Sequence, residues 1–159
     1  RNPENALDPN IKGGNYLNNI LAITQARQLG ADDSIILNRE GFVTEAANSN
    51  VWFVINGQLI TPATGNLKGL TKMHIHRALK GAGISSQEVD IHANELYDAT
   101  ECFVTSATRD VMPCASLRLE GGEVLQFPEG GGEITRQVQA VFLAYLDAYV
   151  ATHADDALI

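Results

Sequence analysis

At 159 residues, with 45% hydrophobic and 19% charged side chains, the chain is long enough to bury a sizeable core in one domain and has the composition of a globular protein. Its formal net charge of −8 argues against a general surface for nucleic acid or anionic membrane, since lysine and arginine hold such partners; an anionic ligand then needs a locally built site. No run of about 18 apolar residues occurs, so no membrane-spanning helix is expected.

The opening Arg1-Asn2-Pro3-Glu4-Asn5-Ala6-Leu7-Asp8-Pro9 reads as an exposed linker entering from something earlier, so residues 1–11 are expected to be a connection and the chain a fragment. Lys12 follows, beside the pair Gly13-Gly14 that lets backbone pack closely, with Tyr16 just before a helix. An amine that forms a Schiff base needs a flexible stem and a semi-buried setting that lowers its pKa. The residues alone leave that reading and a solvated loop lysine both open.

Leu17 to Leu29 favours helix, with Leu17, Ile20 and Leu21 on one apolar stripe and Gly30 placed as a C-terminal cap. Because Ala22, Ile23, Ala26 and Leu29 lie off that stripe, the helix is expected to be covered on more than one side. Strands are expected at 34–38 and 42–45, joined by the turn Asn38-Arg39-Glu40-Gly41. A second hairpin pairs Val51-Trp52-Phe53-Val54-Ile55 with Gln58-Leu59-Ile60-Thr61 through Asn56-Gly57, and Pro62 ends it. A helix is predicted over 71–82, a strand over 88–91, a short helix over 94–97 and a strand over 101–105, followed by a polar loop at 106–110. The stretch 116–127 reads as a hairpin around Gly121-Gly122. Ile134, Val138, Val141, Phe142, Tyr145, Leu146 and Tyr149 make 133–153 a long packed helix. Strand pairs interleaved with helices predict a mixed α and β domain whose sheets turn sharply.

Chemistry is sought beside Lys12 at three further places. Glu45 closes a strand apolar enough to be buried, where a carboxylate is expensive unless donors or a cation meet it; a rim glutamate is the plainer alternative. Gly69-Leu70-Thr71 opens a helix whose free N–H groups and dipole suit a phosphate, or where Thr71 simply caps. Ser106-Ala107-Thr108 could add amides and hydroxyls to the same anion, or merely turn. His74 and His76, two apart on a helix, face different ways, and no metal site is expected there. Lys68 and Lys72 are expected to be solvated. Cys102 and Cys114 show neither metal nor disulfide spacing, and a reduced cytoplasmic setting is expected.

Five segments in register resemble the fold-type IV pyridoxal-phosphate enzymes, which include branched-chain aminotransferases, D-amino-acid aminotransferases and aminodeoxychorismate lyases. They are Lys12-Gly13-Gly14-Asn15-Tyr16-Leu17-Asn18-Asn19, Glu40-Gly41-Phe42-Val43-Thr44-Glu45-Ala46-Ala47-Asn48-Ser49-Asn50, Leu67-Lys68-Gly69-Leu70-Thr71-Lys72, Thr105-Ser106-Ala107-Thr108-Arg109-Asp110-Val111-Met112-Pro113 and Glu133-Ile134-Thr135-Arg136. The resemblance implies a D-amino-acid-aminotransferase-like large domain over 12–159, with curved, hairpin-rich sheets in a pseudo-barrel packed with helices. The family's smaller amino-terminal domain, which lends an arginine to the phosphate, has no counterpart among these segments. A full-length homodimer is implied.

By this resemblance Lys12 would hold pyridoxal 5'-phosphate as a Schiff base and carry the proton at the substrate's α carbon. Glu45 would pair with the pyridine nitrogen, and Tyr16 would hydrogen-bond the ring oxygen. Leu70, Thr71, Ser106 and Ala107 would cradle the phosphate, and Ala107 and Thr108 would meet a substrate carboxylate. Lys68 and Lys72 stand where the family commonly has the proline and arginine of Leu-Pro-Gly-Ile-Thr-Arg. The implied reaction is transfer of an amino group between an amino acid, branched-chain ahead of D-configured, and a 2-oxo acid. A lyase releasing pyruvate and a non-catalytic fragment are the alternatives.

Overall fold

A computed structural model describes residues 17–153. Its centre is a sheet of five strands in the order β5-β4-β3-β6-β7. The chain enters through helix α1 (Leu17–Gln28), then forms the small hairpin β1 (Ile35–Leu37) and β2 (Val43–Ala46). β3 (Asn50–Ile55) and β4 (Gln58–Pro62) follow, then helix α2 (Leu70–Gly81), β5 (Gln87–Val89), a 3-10 helix (Ala93–Asp98), β6 (Ala99–Ser106) and β7 (Asp110–Pro113). A last hairpin, β8 (Ser116–Arg118) and β9 (Val124–Gln126), precedes the long helix α3 (Glu133–Thr152).

Local chemistry explains the turns. Asn56 and Gly57 both adopt positive φ, 51° and 73°, which a two-residue hairpin needs for its twist to match the flanking strands. Asn38 shapes the β1–β2 turn by accepting from Glu40 N–H and Phe42 N–H through Oδ1, at 3.0 and 2.9 Å. Gly30, at φ 77°, ends α1 while Ala31 N–H reaches back to the Ala26 carbonyl. β4 and β5 run parallel, with α2 as the crossover between them; the other neighbours in the sheet are antiparallel. The described sheets are open and do not close on themselves.

Alternation along β3 splits the core in two. Trp52 and Val54 point to one face, where they pack with Phe103, Ile75, Leu79, Val138 and Phe142 under α2 and α3. Val51, Phe53 and Ile55 point to the other, against Ile91, Leu96, Val104 and Phe127. Burial of such side chains contributes about 1.5–3 kcal/mol each, and both faces of β3 are covered, which makes it the keel of the fold.

The structure differs from the sequence-based expectation at α1 and at 106–110. The stripe of α1 is not covered: Leu17, Ile20 and Leu21 are 61%, 58% and 58% exposed, and Ala26 is the helix's only buried residue. The polar loop at 106–110 is instead a tight turn into a strand, because β7 pairs with β6 from Ser106↔Asp110 to Phe103↔Pro113. Among the described residues, no helix is long and apolar enough to cross a membrane.

Candidate active site

The chemically suggestive residues gather at one end of the central sheet. Glu45 lies in β2, with every residue of that strand buried. Its Oε2 accepts a hydrogen bond from Leu67 N–H at 2.9 Å, so the acid is sunk and held rather than lying on the rim. Leu67 is itself fixed by its carbonyl, which accepts from Asn50 Nδ2 and from Gly69 N–H, each at 2.8 Å. Asn50 opens β3 next to the turn that follows Glu45, where Ala46 N–H donates to the Ser49 carbonyl.

Three residues beyond Leu67, α2 begins. Its N-cap is Gly69, in extended backbone and with no side-chain capping bond, so Thr71 is not the cap that the plainer reading assigned. A Cβ at Gly69 would overlap Asn50 Oδ1, whose amide is tied to the Leu67 carbonyl, so a larger residue there would force one of them to shift. The first turn of α2 thus presents N–H groups with the positive end of the helix dipole behind them, a setting for an anion. Leu70, its first residue, is 73% exposed.

The turn Ser106-Ala107-Thr108-Arg109 closes the same end. Ser106 Oγ and Thr108 Oγ1 are 3.4 Å apart, and Ala107 and Thr108 are exposed. Arg109 anchors the turn, donating to Asp33 Oδ2 at 2.5 Å and to Ser49 Oγ at 3.2 Å. Behind it Trp52 Nε1 donates to Thr105 Oγ1 at 3.1 Å, tying β3 to the end of β6. Lys12 and Tyr16 lie outside the described residues. The helix that follows them is nonetheless tied to this end, for Asn19 Nδ2 donates to the carbonyl of Ala47, two residues past Glu45.

Lys72 departs from expectation. It is 3% exposed, and its Nζ donates to the Pro62 carbonyl at 2.7 Å, Asn66 Oδ1 at 3.2 Å and Glu88 Oε2 at 3.0 Å. Burial lowers its pKa from the usual lysine value, against the opposing pull of Glu88 and Glu45. None of these acceptors neighbours Lys72 in the chain, so local sequence carried no signal of them. His74 and His76 do diverge: the first meets Tyr145 Oη at 2.8 Å and the second meets Ser86 Oγ at 2.8 Å. Cys102 and Cys114, isolated in sequence, are free thiols brought opposite one another, with Cys114 N–H donating to the Cys102 carbonyl at 2.9 Å. Mutual hydrogen bonding raises the buried Cys102 thiol and lowers that of Cys114.

A sunken acid, an uncapped helix start and a hydroxyl-bearing turn at one sheet end can hold a ligand that is cationic at one point and anionic at another. The family model described as amino-transferase class IV matches residues 1–117. The chain belongs to the class IV aminotransferases. As a class IV aminotransferase it is 34% identical over 144 residues to a putative branched-chain-amino-acid aminotransferase of Methanocaldococcus jannaschii, covering 89% of this chain and 49% of that protein. It is 32% identical over 133 residues to the branched-chain-amino-acid aminotransferase of Escherichia coli strain K12, covering 82% and 41%. The chain therefore spans about half the length of the curated relatives it matches. Among solved class IV structures, the branched-chain aminotransferase of Thermoproteus uzoniensis with norvaline superposes with a TM-score of 0.81 at 29% identity, over 95% of this chain and 51% of that one. That of Thermobaculum terrenum in its PLP form gives 0.75 at 32% identity, over 91% and 48%. These likenesses bear out the expected fold class.

Proposed function

We propose that the full-length protein is a pyridoxal-phosphate-dependent aminotransferase that moves an amino group between a branched-chain amino acid and a 2-oxo acid, with residues 12–159 as its cofactor-binding domain and 1–11 as a linker. One observation carries the reading: the Leu67 amide that meets the buried Glu45 lies three residues before the uncapped start of α2, so an acid and an anion site are joined by one short loop. The residues present fit the cofactor, which carries a basic ring nitrogen at one end and a phosphate at another. Relatives bearing branched-chain names support the substrate class.

Bound pyridoxal phosphate supplies an electron sink that acidifies the substrate's α carbon. The chain's own residues would do the rest. Lys12 would hold the cofactor and move the proton at that carbon. Glu45 would keep a proton on the ring nitrogen, and Tyr16 would donate to the ring oxygen. The amides of Leu70 and Thr71, with Ser106 and Ala107, would hold the phosphate. Ala107 and Thr108 would orient a substrate carboxylate, on a turn that Arg109 steadies through Asp33. A cytoplasmic setting, expected from the isolated spacing of Cys102 and Cys114, and a homodimer, implied by the family resemblance, belong to the same reading.

The test uses the full-length protein with pyridoxal phosphate and a branched-chain amino acid. Turnover that needs a 2-oxo acid acceptor is expected; pyruvate release without any acceptor would support a lyase instead. Borohydride treatment should fix the cofactor on Lys12, and label on Lys68 or Lys72 would overturn that assignment.

A further inference from the structure

Position 72 is an unfavourable place for a cation. It lies in the first turn of α2, where the helix dipole repels positive charge, and that turn contains no acidic residue to offset it. The side chain is buried, and Lys68 adds a second like charge nearby. An apolar side chain of the same length would fill the space without those costs. What the ammonium adds is three donors, and each one finds an acceptor: the last carbonyl of β4, an amide in the following loop and a carboxylate on β5.

The contact with Asn66 has the widest reach. An ammonium can only donate, so it compels the Asn66 carbonyl oxygen to face it. Asn66 Nδ2 is then turned to the carbonyls of Pro62 and Thr64, at 3.0 and 2.9 Å, which folds residues 62–66 around one buried amide. Gly65 takes φ 67° inside that fold. The next residue is Leu67, whose N–H meets Glu45 and whose carbonyl is held by Asn50. One bonded path thus runs from the first turn of α2, through Lys72, Asn66 and the loop backbone, to the buried acid.

We propose that Lys72 is a positioning residue: acting through Asn66, its buried ammonium fixes the loop that sets Glu45 against the start of α2. The proposal rests on the cofactor-binding reading above, since it is the cofactor that spans these two points. Lys72 itself touches neither substrate nor reacting atoms in this role.

The experiment compares the full-length wild type with Lys72→Met, Lys72→Arg and Asn66→Ala. Three quantities are measured: the dissociation constant for pyridoxal phosphate by equilibrium dialysis, the visible circular dichroism band of the bound cofactor, and the melting temperature of the cofactor-free protein. Lys72→Met is expected to weaken binding about tenfold, the worth of roughly one hydrogen bond, and to change the shape or sign of the dichroism band. Lys72→Arg keeps the donors and should restore both, and Asn66→Ala should repeat the Lys72→Met result. A purely structural lysine would lower the melting temperature and leave the dichroism band of the folded fraction unchanged; that outcome overturns the proposal. If Lys72→Met does not fold, Asn66→Ala decides alone by the same two readouts. A wild type that binds no pyridoxal phosphate removes the underlying reading, and this proposal with it; normal wild-type binding with unaltered variants removes only the proposal.

Discussion

The ring of His76 lies against Trp52, with centroids 4.8 Å apart, and its Nδ1 is engaged with Ser86. Its buried Nε2 is 3.5 Å from Glu88 Oε1, too long for a good hydrogen bond. Burial, helped by the nearby charge of Lys72, lowers its pKa below the usual 6.5, although Glu88 pulls the other way. Above about pH 6.5 the ring is neutral whether folded or unfolded; as pH falls from there to the lowered folded value, the unfolded chain takes the proton first and stability is lost. We therefore expect the urea midpoint to fall less steeply between pH 7 and 5 in His76→Gln than in the wild type. Equal slopes would show that the ring charges freely in the folded protein. Glu88 faces both His76 and Lys72, so its charge acts on two bases at once.

Helix α3 shows how an element can be legible while its anchor is not. The apolar spacing from Ile134 to Tyr149 predicts it well, and the observed span Glu133–Thr152 differs only at the end. Its start is capped from outside, however: Glu101 in β6 accepts from Ile134 N–H at 3.1 Å, Thr135 N–H at 2.7 Å and Thr135 Oγ1 at 2.6 Å. Gly132 makes room, since a Cβ there would overlap the Glu101 carboxylate. Nothing near Glu133 announces this partner, because it arrives from a distant strand earlier in the chain. Glu101→Ala would leave two N–H groups of the first turn unsatisfied beside a fully buried Thr135, at a cost of roughly 1–3 kcal/mol. Denaturant unfolding checks this, and a loss below about 0.5 kcal/mol would show that water replaces the cap. The hairpin at Asn56-Gly57 was legible for a different reason: its signal is entirely local. β7 is not legible in the sequence because Asp110 and Pro113 are poor strand formers, and only pairing with the buried β6 makes a strand of them. The stripe of α1 was legible as a pattern but not in its fate, since periodicity cannot say what, if anything, covers a face.

At the scale of the whole molecule, the candidate site is assembled from stretches far apart in sequence, 45–50, 62–72 and 105–109, which the order of β2, β3, β4 and β6 brings to one end. Three of the five motifs, at 40–50, 67–72 and 105–113, made that gathering readable in advance, whereas Lys72, Asn66 and Arg109, which hold the pieces in place, read as ordinary solvent-facing polar residues until their partners are known. The assembly also separates two tasks that the proposed chemistry combines. In the proposed chemistry, affinity for a phosphate would belong to the start of α2, and control of the ring nitrogen would belong to Glu45. Glu45→Gln keeps an oxygen for Leu67 N–H but lacks the charge. In the full-length protein it should hold pyridoxal phosphate within about threefold of the wild type while turnover falls by roughly a hundredfold or more, the scale of removing a group that stabilises developing charge. Gly69→Ala should do the reverse in kind. Its Cβ would press on Asn50 Oδ1 and push the helix start away from β3, so that cofactor affinity drops first and turnover at saturating cofactor is largely kept. Dialysis and steady-state kinetics on both variants would distinguish the tasks. If both variants lose affinity and turnover in the same proportion, the loop from Glu45 to α2 behaves as one rigid block and the division of labour is wrong.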